Sequence, residues 1–303
     1  MLRALAFLLL LKFAAPAADD RFVVDDDAFI EKATEAAKSL HKEGKLVSFE
    51  KLRAQLDRKS CELQMPAART EILTAREIYR MVRSSTVAVA SFYKCAKCND
   101  WHFDSASGFV AADGVVSTSL HVVDFEDEDM KEGFLVVADS NGTVHAVTEV
   151  LAANDNSDTC LLRVPGLGLK PLALNPAAQV GDHLYCLSHP DGNHWMFTEG
   201  MLSRFFINRE PSADGGKPPK KEKLKPSLYI NITAEYSPGS SGAPVVDACG
   251  NVVGQVQSIT SSLEEEEGDK GKSVTTSYGM PLRSCVSAEE IGKLVKQPAK
   301  TAK

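Results

Sequence analysis

Two kinds of hydrophobic pattern divide the chain. Up to about residue 83 the apolar positions recur at helical spacing. Ala28 to Lys42 places Phe29, Ala33, Ala36, Ala37 and Leu40 on one stripe, and Gly44 follows as a stop signal. Ser48 is placed to cap a second short helix carrying Phe49, Leu52 and Leu56. Thr74-Ala-Arg-Glu77 has the reciprocal capping-box pattern and predicts a helix through Arg83. From Thr86 the pattern changes to short segments rich in β-branched and aromatic residues, of which Thr86 to Tyr93 is the first. Asp113-Gly114 and Asn141-Gly142 predict type I′ hairpin turns between strands. Short strands with frequent turns predict an all-β barrel or sandwich. Ser287-Ala-Glu-Glu290 is a second capping-box pattern and predicts a closing helix over about 287–297 with Ile291, Leu294 and Val295 inward. Two stretches read as solvated loops, Glu210 to Lys225 and Leu263 to Lys272.

The chemistry-bearing segments sit among those short strands. Ser237-Pro-Gly-Ser-Ser-Gly-Ala-Pro-Val-Val246 holds a serine between glycines. A serine hydroxyl is a weak nucleophile without a base, a group that orients the base, and amide donors for the charge that forms on the attacked carbonyl. Glycine at 239 allows a tight turn in which the amides of Gly239 and Ser241 point to one spot beside the Ser241 hydroxyl. Taken alone, such a Gly/Ser/Pro cluster is more often only a turn. His121 ends the apolar run that begins at Gly114, and Asp158 opens another, Asp158-Thr-Cys-Leu-Leu-Arg-Val164. The order His, Asp, Ser is that of the chymotrypsin class, not of subtilisin or the α/β-hydrolases. The hydrolase elbow Gly-x-Ser-x-Gly fails because residue 243 is Ala.

These blocks resemble the trypsin-fold serine proteases, and within them the HtrA/Deg group. Val115-Val-Ser-Thr-Ser-Leu-His-Val-Val123 is similar to the group's histidine block, Asp158-Thr-Cys-Leu-Leu-Arg-Val164 to its aspartate block, and Pro238-Gly-Ser-Ser-Gly-Ala-Pro-Val-Val246 to its serine block. Ser107-Gly-Phe-Val-Ala, Val180 to Gly192 and Ser277 to Leu282 add weaker matches in the same order, so the likeness spans about residues 84 to 283. The resemblance implies two six-stranded antiparallel β-barrels, about 84–170 and 171–283, preceded by a helical extension over 18–83 and followed by a C-terminal helix. It implies His121, Asp158 and Ser241 as the catalytic triad, with Gly239, Ser240 and Ser241 lining the oxyanion hole. It implies a serine endopeptidase acting on protein or peptide substrates without a cofactor, in extracytoplasmic protein quality control. The residue six before the nucleophile lies at the base of the pocket in trypsin-like enzymes. Here that is Glu235, which with Thr233 is the candidate specificity pair. A carboxylate in the pocket would favour Arg or Lys before the cut, and one turned to solvent would favour small aliphatic residues. Ser240 and Ala243 depart from the group's usual Asn and Gly. After Ser287 too little chain remains for the PDZ domain that many HtrA proteins carry. The rival reading is a catalytically silent binding or chaperone-like protein that kept the fold. The extension reads either as a packed helical arm or as a regulatory or oligomerising one, which leaves a homo-oligomer open.

Composition alters this picture at two points. Residues 1–17, with Arg3, an apolar core and Ala15-Pro16-Ala17, read as a cleaved secretory signal, which places the protein outside the cytoplasm, periplasmic or secreted, with no stable membrane insertion afterwards. The formal net charge is −7 and falls to −9 once Arg3 and Lys12 leave, which argues against nucleic acid as a general partner. Seven cysteines in an exported chain leave at least one unpaired. Cys160 and Cys186 lie in apolar strand patterns and read as buried thiols. Cys95-Ala-Lys-Cys98 with His102 reads first as a local disulfide, second as part of a metal site that lacks a fourth ligand, and last as a redox centre. Outside that metal reading His102, like His145, His183, His189 and His194, reads as a structural or surface residue.

Overall fold

The computed structural model describes residues 21–125, 129–209, 225–260, 263–265 and 276–296. The leader and most of the Glu210–Lys225 stretch lie outside the described residues. Three helices precede the sheets: α1 (Asp26–Lys42), α2 (Phe49–Arg53) and, after the short strand β1 (Cys61–Glu62), α3 (Ala75–Arg83). The Asp25 carboxylate accepts from Ala28 N at 3.0 Å and starts α1. α3 has the expected capping box, with Glu77 N donating to Thr74 Oγ1 at 3.4 Å and Thr74 N to Glu77 Oε2 at 2.8 Å. α2 stops at Arg53, so Leu56 lies beyond it, and Ser48 makes no side-chain cap.

A seven-stranded antiparallel sheet follows. It comprises β2 (Thr86–Cys95), β3 (Trp101–Ala112), β4 (Val115–Ser119), then, after a one-turn helix α4 (Leu120–Val123), β5 (Met130–Ala138), β6 (Val144–Ala146), β7 (Glu149–Asn154) and β8 (Thr159–Arg163). Its order is β6-β5-β2-β3-β4-β8-β7, one strand more than expected. The second sheet is a closed six-stranded barrel. Its strands are β9 (His183–Ser188), β10 (Met196–Asn208), β11 (Ser227–Ile232), β12 (Pro244–Val246) and β13 (Val252–Thr260), with β16 (Leu282–Ser287) placed after a separate hairpin of β14 (Leu263–Glu265) and β15 (Thr276–Tyr278). The start of the expected Leu263–Lys272 loop is therefore a strand. The fold is mostly strand, in two curled sheets, as the resemblance implies.

The glycine turns differ from the expected type. Type I′ needs positive φ at both central residues, and only Gly114 (φ 61) and Gly142 (φ 73) have it. At the second turn the Asp139 carboxylate binds Asn141 N at 2.8 Å and Thr143 N at 2.9 Å, so a side chain closes the loop. The closing helix is also shorter than expected. α5 (Ala288–Gly292) is followed by β17 (Val295–Lys296), which pairs in parallel with β1. The capping box fails because the Glu290 carboxylate is buried, takes Leu228 N at 2.8 Å and pairs with Lys293 Nζ at 2.7 Å.

The two sheets meet along a seam of small polar residues. The Ser117 hydroxyl donates to Gln255 Oε1 at 2.6 Å and the Ser119 hydroxyl to Val256 O at 3.3 Å, both fully buried. Larger side chains at these positions would hold the sheets apart, and these hydroxyls find partners across the seam. The N-terminal arm packs on this body. Phe29, Ala33 and Ala37 of α1 and Ile78 and Val82 of α3 join a buried cluster that draws on both sheets.

Candidate active site

The end of β4 and the start of β8 are paired neighbours, Ser119 opposite Thr159, so the residues just beyond them meet. His121 follows β4 in the one-turn α4, and Asp158 precedes β8 with φ 49, a left-handed backbone that aspartate tolerates better than most residues. The Asp158 carboxylate is 4% exposed and is held at both oxygens by one residue. Its Oδ1 accepts from His121 N at 2.9 Å, and its Oδ2 lies 2.6 Å from His121 Nδ1. A neutral imidazole in this contact carries its proton on Nδ1, which leaves the basic lone pair on Nε2. Leu120 N donates to Asp158 O at 3.1 Å and locks the two elements together.

Ser241 comes from the other sheet, on the turn before β12. Two glycines shape the turn. Gly239 has φ 90, and a Cβ there would lie 2.5 Å from His189 O. Gly242 has φ 89, and its Cβ would collide with Ser107 O. Only glycine fits either place. Ala243, where the resemblance leads one to expect glycine, is outside the positive-φ region and fully buried, so nothing is lost there. Ser240 is buried, and its hydroxyl donates to Ser188 Oγ at 3.0 Å.

The serine turn is fastened to the first sheet through Ser107 of β3. Ser107 N donates to Ser241 O at 2.9 Å, and the Ser107 hydroxyl donates to Gly239 O at 3.0 Å while accepting from His189 N at 3.1 Å. His121 and Ser241 thereby line one cavity of ≈ 320 Å³ between the sheets, with Tyr236, Gly239, Val256, Ser258 and Ile259 among its walls. Ser107 opens one of the resemblance blocks, but nothing in the sequence marks it as the residue that fastens the serine turn to the first sheet.

The remaining candidates fall less neatly. The Ser240 amide donates to Ser237 O at 3.1 Å, which removes it from the expected set of oxyanion donors and leaves Gly239 and Ser241. Glu235 does not face the cavity. Its carboxylate is 79% exposed and lies 3.7 Å from Arg283 Nη2. Thr233 lines a separate groove with Arg204, Met280 and Arg283, and its hydroxyl accepts from Met201 N at 2.8 Å. Neither residue forms the base of the Ser241 cavity. All seven cysteines are thiols, so the expected Cys95–Cys98 disulfide is absent. Instead Cys95 Sγ accepts from Lys97 N at 3.3 Å and Cys98 Sγ lies 3.0 Å from His102 Nε2. Cys160 and Cys186 are buried as expected, and burial pushes the Cys186 thiol up to about 12.

A histidine pair beside the serine turn was not anticipated as a unit. His194 is buried and spans Asp26 of α1 and Ser105 of β3. Its Nδ1 lies 2.8 Å from Asp26 Oδ1 and its Nε2 lies 3.1 Å from Ser105 Oγ. Burial outweighs Asp26 and lowers the His194 pKa, so this contact is a hydrogen bond from a neutral ring. His189 accepts Trp195 N at its Nδ1 at 3.0 Å, and burial, reinforced by His194, pushes its pKa down to about 3.

Residues 106–254 match the trypsin-like peptidase domain. That stretch is similar to a trypsin-like peptidase domain, and the relatives it resembles are HtrA/DegP-like proteases. It is similar to the "Probable periplasmic serine endoprotease DegP-like" proteins of Ectopseudomonas mendocina, 28% identical over 151 residues, and Halomonas elongata, 27% identical over 151 residues. Those stretches cover 49% of this chain and 28% of each relative, so the peptidase domain is matched over little more than a quarter of their length. Among solved structures, the active form of the Rv3671c protease from M. tuberculosis superposes with TM-score 0.54 at 21% identity, over 82% of this chain and 97% of that one. The HtrA-type protease AlgW, solved with a decapeptide, superposes with TM-score 0.52 at 15% identity, over 73% of this chain and 68% of that one. At these identities the likeness establishes the fold of the peptidase domain. No described helix is long and apolar enough to cross a membrane.

Proposed function

We propose that the chain is a serine endopeptidase in which Ser241, His121 and Asp158 act as nucleophile, base and orienting carboxylate. The observation that carries this reading is the doubly held Asp158 carboxylate on His121, in the cavity that Ser241 also lines. His121 Nε2 takes the Ser241 proton as Oγ attacks the scissile carbonyl. The amides of Gly239 and Ser241 receive the developing oxyanion; one such donor is worth about 3 kcal/mol in comparable sites. The imidazolium, stabilised by Asp158, returns the proton to the leaving amine. Water then hydrolyses the acyl-enzyme by the same route, and no cofactor enters.

With Glu235 turned outward, the cavity walls around Ser241 are neutral, with Tyr236, Val256 and Ile259 supplying apolar surface. Small aliphatic residues before the cut therefore fit better than Arg or Lys. The leader pattern and the periplasmic relatives support an exported enzyme, acting in protein quality control on unfolded or damaged chains.

The test is digestion of an unfolded protein and of matched peptides with Val or Arg before the cut. Wild-type cleavage favouring Val, and none by Ser241→Ala, supports the reading. A well-folded wild type that binds unfolded protein without cutting it would instead establish the silent binding protein. Preference for Arg would return Glu235 to the pocket.

A further inference from the structure

We propose that Cys95, Cys98 and His102 form a binding site for one thiophilic divalent ion of the zinc class, on the turn between β2 and β3. Three observations carry it. First, among the described residues this is the one cluster of His, Cys, Asp and Glu whose ligand atoms all lie within 4.8 Å of one another. Ligands around a zinc ion at about 2.0 to 2.3 Å must themselves lie about 3.5 to 4 Å apart, so the three need only small side-chain adjustments to embrace an ion. Second, the donor set is two sulfurs and one imidazole nitrogen, which selects zinc-class ions over the hard cations that require oxygen. Third, neighbouring groups already hold two of the ligands in place. Cys95 closes β2, and its sulfur accepts the Lys97 amide at 3.3 Å. Tyr93 stacks on the His102 ring at a centroid distance of 5.2 Å and an interplanar angle of 17°, which fixes the ring on the sulfur side.

The site is distinct from the proposed active site: none of its three residues lines the Ser241 cavity. Cys98 is exposed, so an arriving ion has a direct path. Three protein ligands leave one tetrahedral position for water or an exogenous ligand, which makes the site open and exchangeable. Binding deprotonates both thiols, releases their protons to solvent, and forms two metal–sulfur bonds and one metal–nitrogen bond without any change in oxidation state. The competing fate of the same pair is a disulfide, which a bound ion would block.

The experiment uses the full chain, reduced and freed of reductant, titrated with Co²⁺ and then with Zn²⁺. The expected result is a thiolate-to-cobalt charge-transfer band that saturates at one ion per chain and is removed by Zn²⁺. Cys98→Ser and His102→Ala should each weaken the half-saturation point by at least about tenfold. Cys249→Ser, which changes another partly exposed thiol, should leave it unchanged. No band in reduced wild type, or a band of equal affinity in Cys98→Ser, would overturn the proposal. So would a reduced chain that forms the Cys95–Cys98 disulfide in air equally fast with and without Zn²⁺. Each readout is independent of proteolysis, so its failure would leave the catalytic reading untouched.

Discussion

At the residue scale the account turns on one carboxylate and two glycines. Asp158 binds both the amide and the ring of His121, so Asp158→Asn keeps the shape but offers an N–H where His121 Nδ1 needs an acceptor. The expected outcome is a fall of about 10⁴-fold in kcat with little change in KM, measured on the best peptide substrate. A loss under tenfold would mean that Asp158 does not orient the base. Gly239→Ala introduces a methyl group 2.5 Å from His189 O at φ 90, and should abolish hydrolysis while the chain remains folded by circular dichroism. His121, Asp158 and Ser241 stand out as candidates in the sequence because each lies beside a short apolar strand. Ser107, Asp26 and His194 do not. The Asp26–His194 contact joins positions 168 residues apart, and no local pattern encodes such a pairing. Glu235 was left open between pocket and solvent for the opposite reason. Its spacing from Ser241 fixed the backbone position, but Arg283 and solvent decide where the long side chain goes.

At the scale of elements, α1 does more than cover a surface. Phe29 packs edge-on to Trp195 at 4.8 Å, while Asp26 on the same helix holds His194. Phe29→Ala should cost about 3 kcal/mol in urea unfolding. A cost below about 1 kcal/mol would show that the arm is loosely attached. The histidine pair under this helix predicts an acid response. His189 is neutral when folded, with its pKa near 3, whereas an unfolded histidine titrates at about 6.5. Between those values the unfolded chain binds more protons, so this contribution to stability is complete above about pH 6.5 and is lost as the pH falls towards 3. His194, lowered in the same direction, adds to it, and the adjoining Asp26 carboxylate softens it. His189→Gln should therefore flatten the decline of the urea midpoint between pH 7 and pH 4. Parallel declines in the two proteins would contradict the assignment. The start of α3 was legible because its capping box is local to Thr74 and Glu77, whereas the caps expected at Ser48 and Ser287 do not form. The end of the chain was not legible, because the Glu290 carboxylate is taken by Leu228 N from a distant strand and β17 is held by β1.

At the scale of the molecule, the two sheets share one buried core, from which a single cooperative unfolding transition is expected. One buried cluster includes Ala111 and Val115 from the first sheet with Leu187, Val246 and Val286 from the second. The two tryptophans report on different parts: Trp101 lies in β3 and Trp195 precedes β10. Single-tryptophan variants, Trp101→Phe and Trp195→Phe, should each unfold in one transition, with no early loss of signal from one sheet alone. Each variant should also give coincident fluorescence and circular dichroism curves, and separation of those curves would mean that the sheets unfold independently. The all-β class was legible from strand length and turn frequency, whereas the barrel's order β10-β11-β16-β13-β12-β9 depends on pairings between distant segments. The same seam that unites the sheets brings Ser241 from one to His121 on the other. An active-site-directed fluorophosphonate, followed by peptide mapping in a mass spectrometer, tests that convergence most directly. The account predicts a single adduct on Ser241 in the wild type that disappears in His121→Ala. An unlabelled wild type, or a Ser241 adduct that forms equally fast without the His121 imidazole, would contradict it.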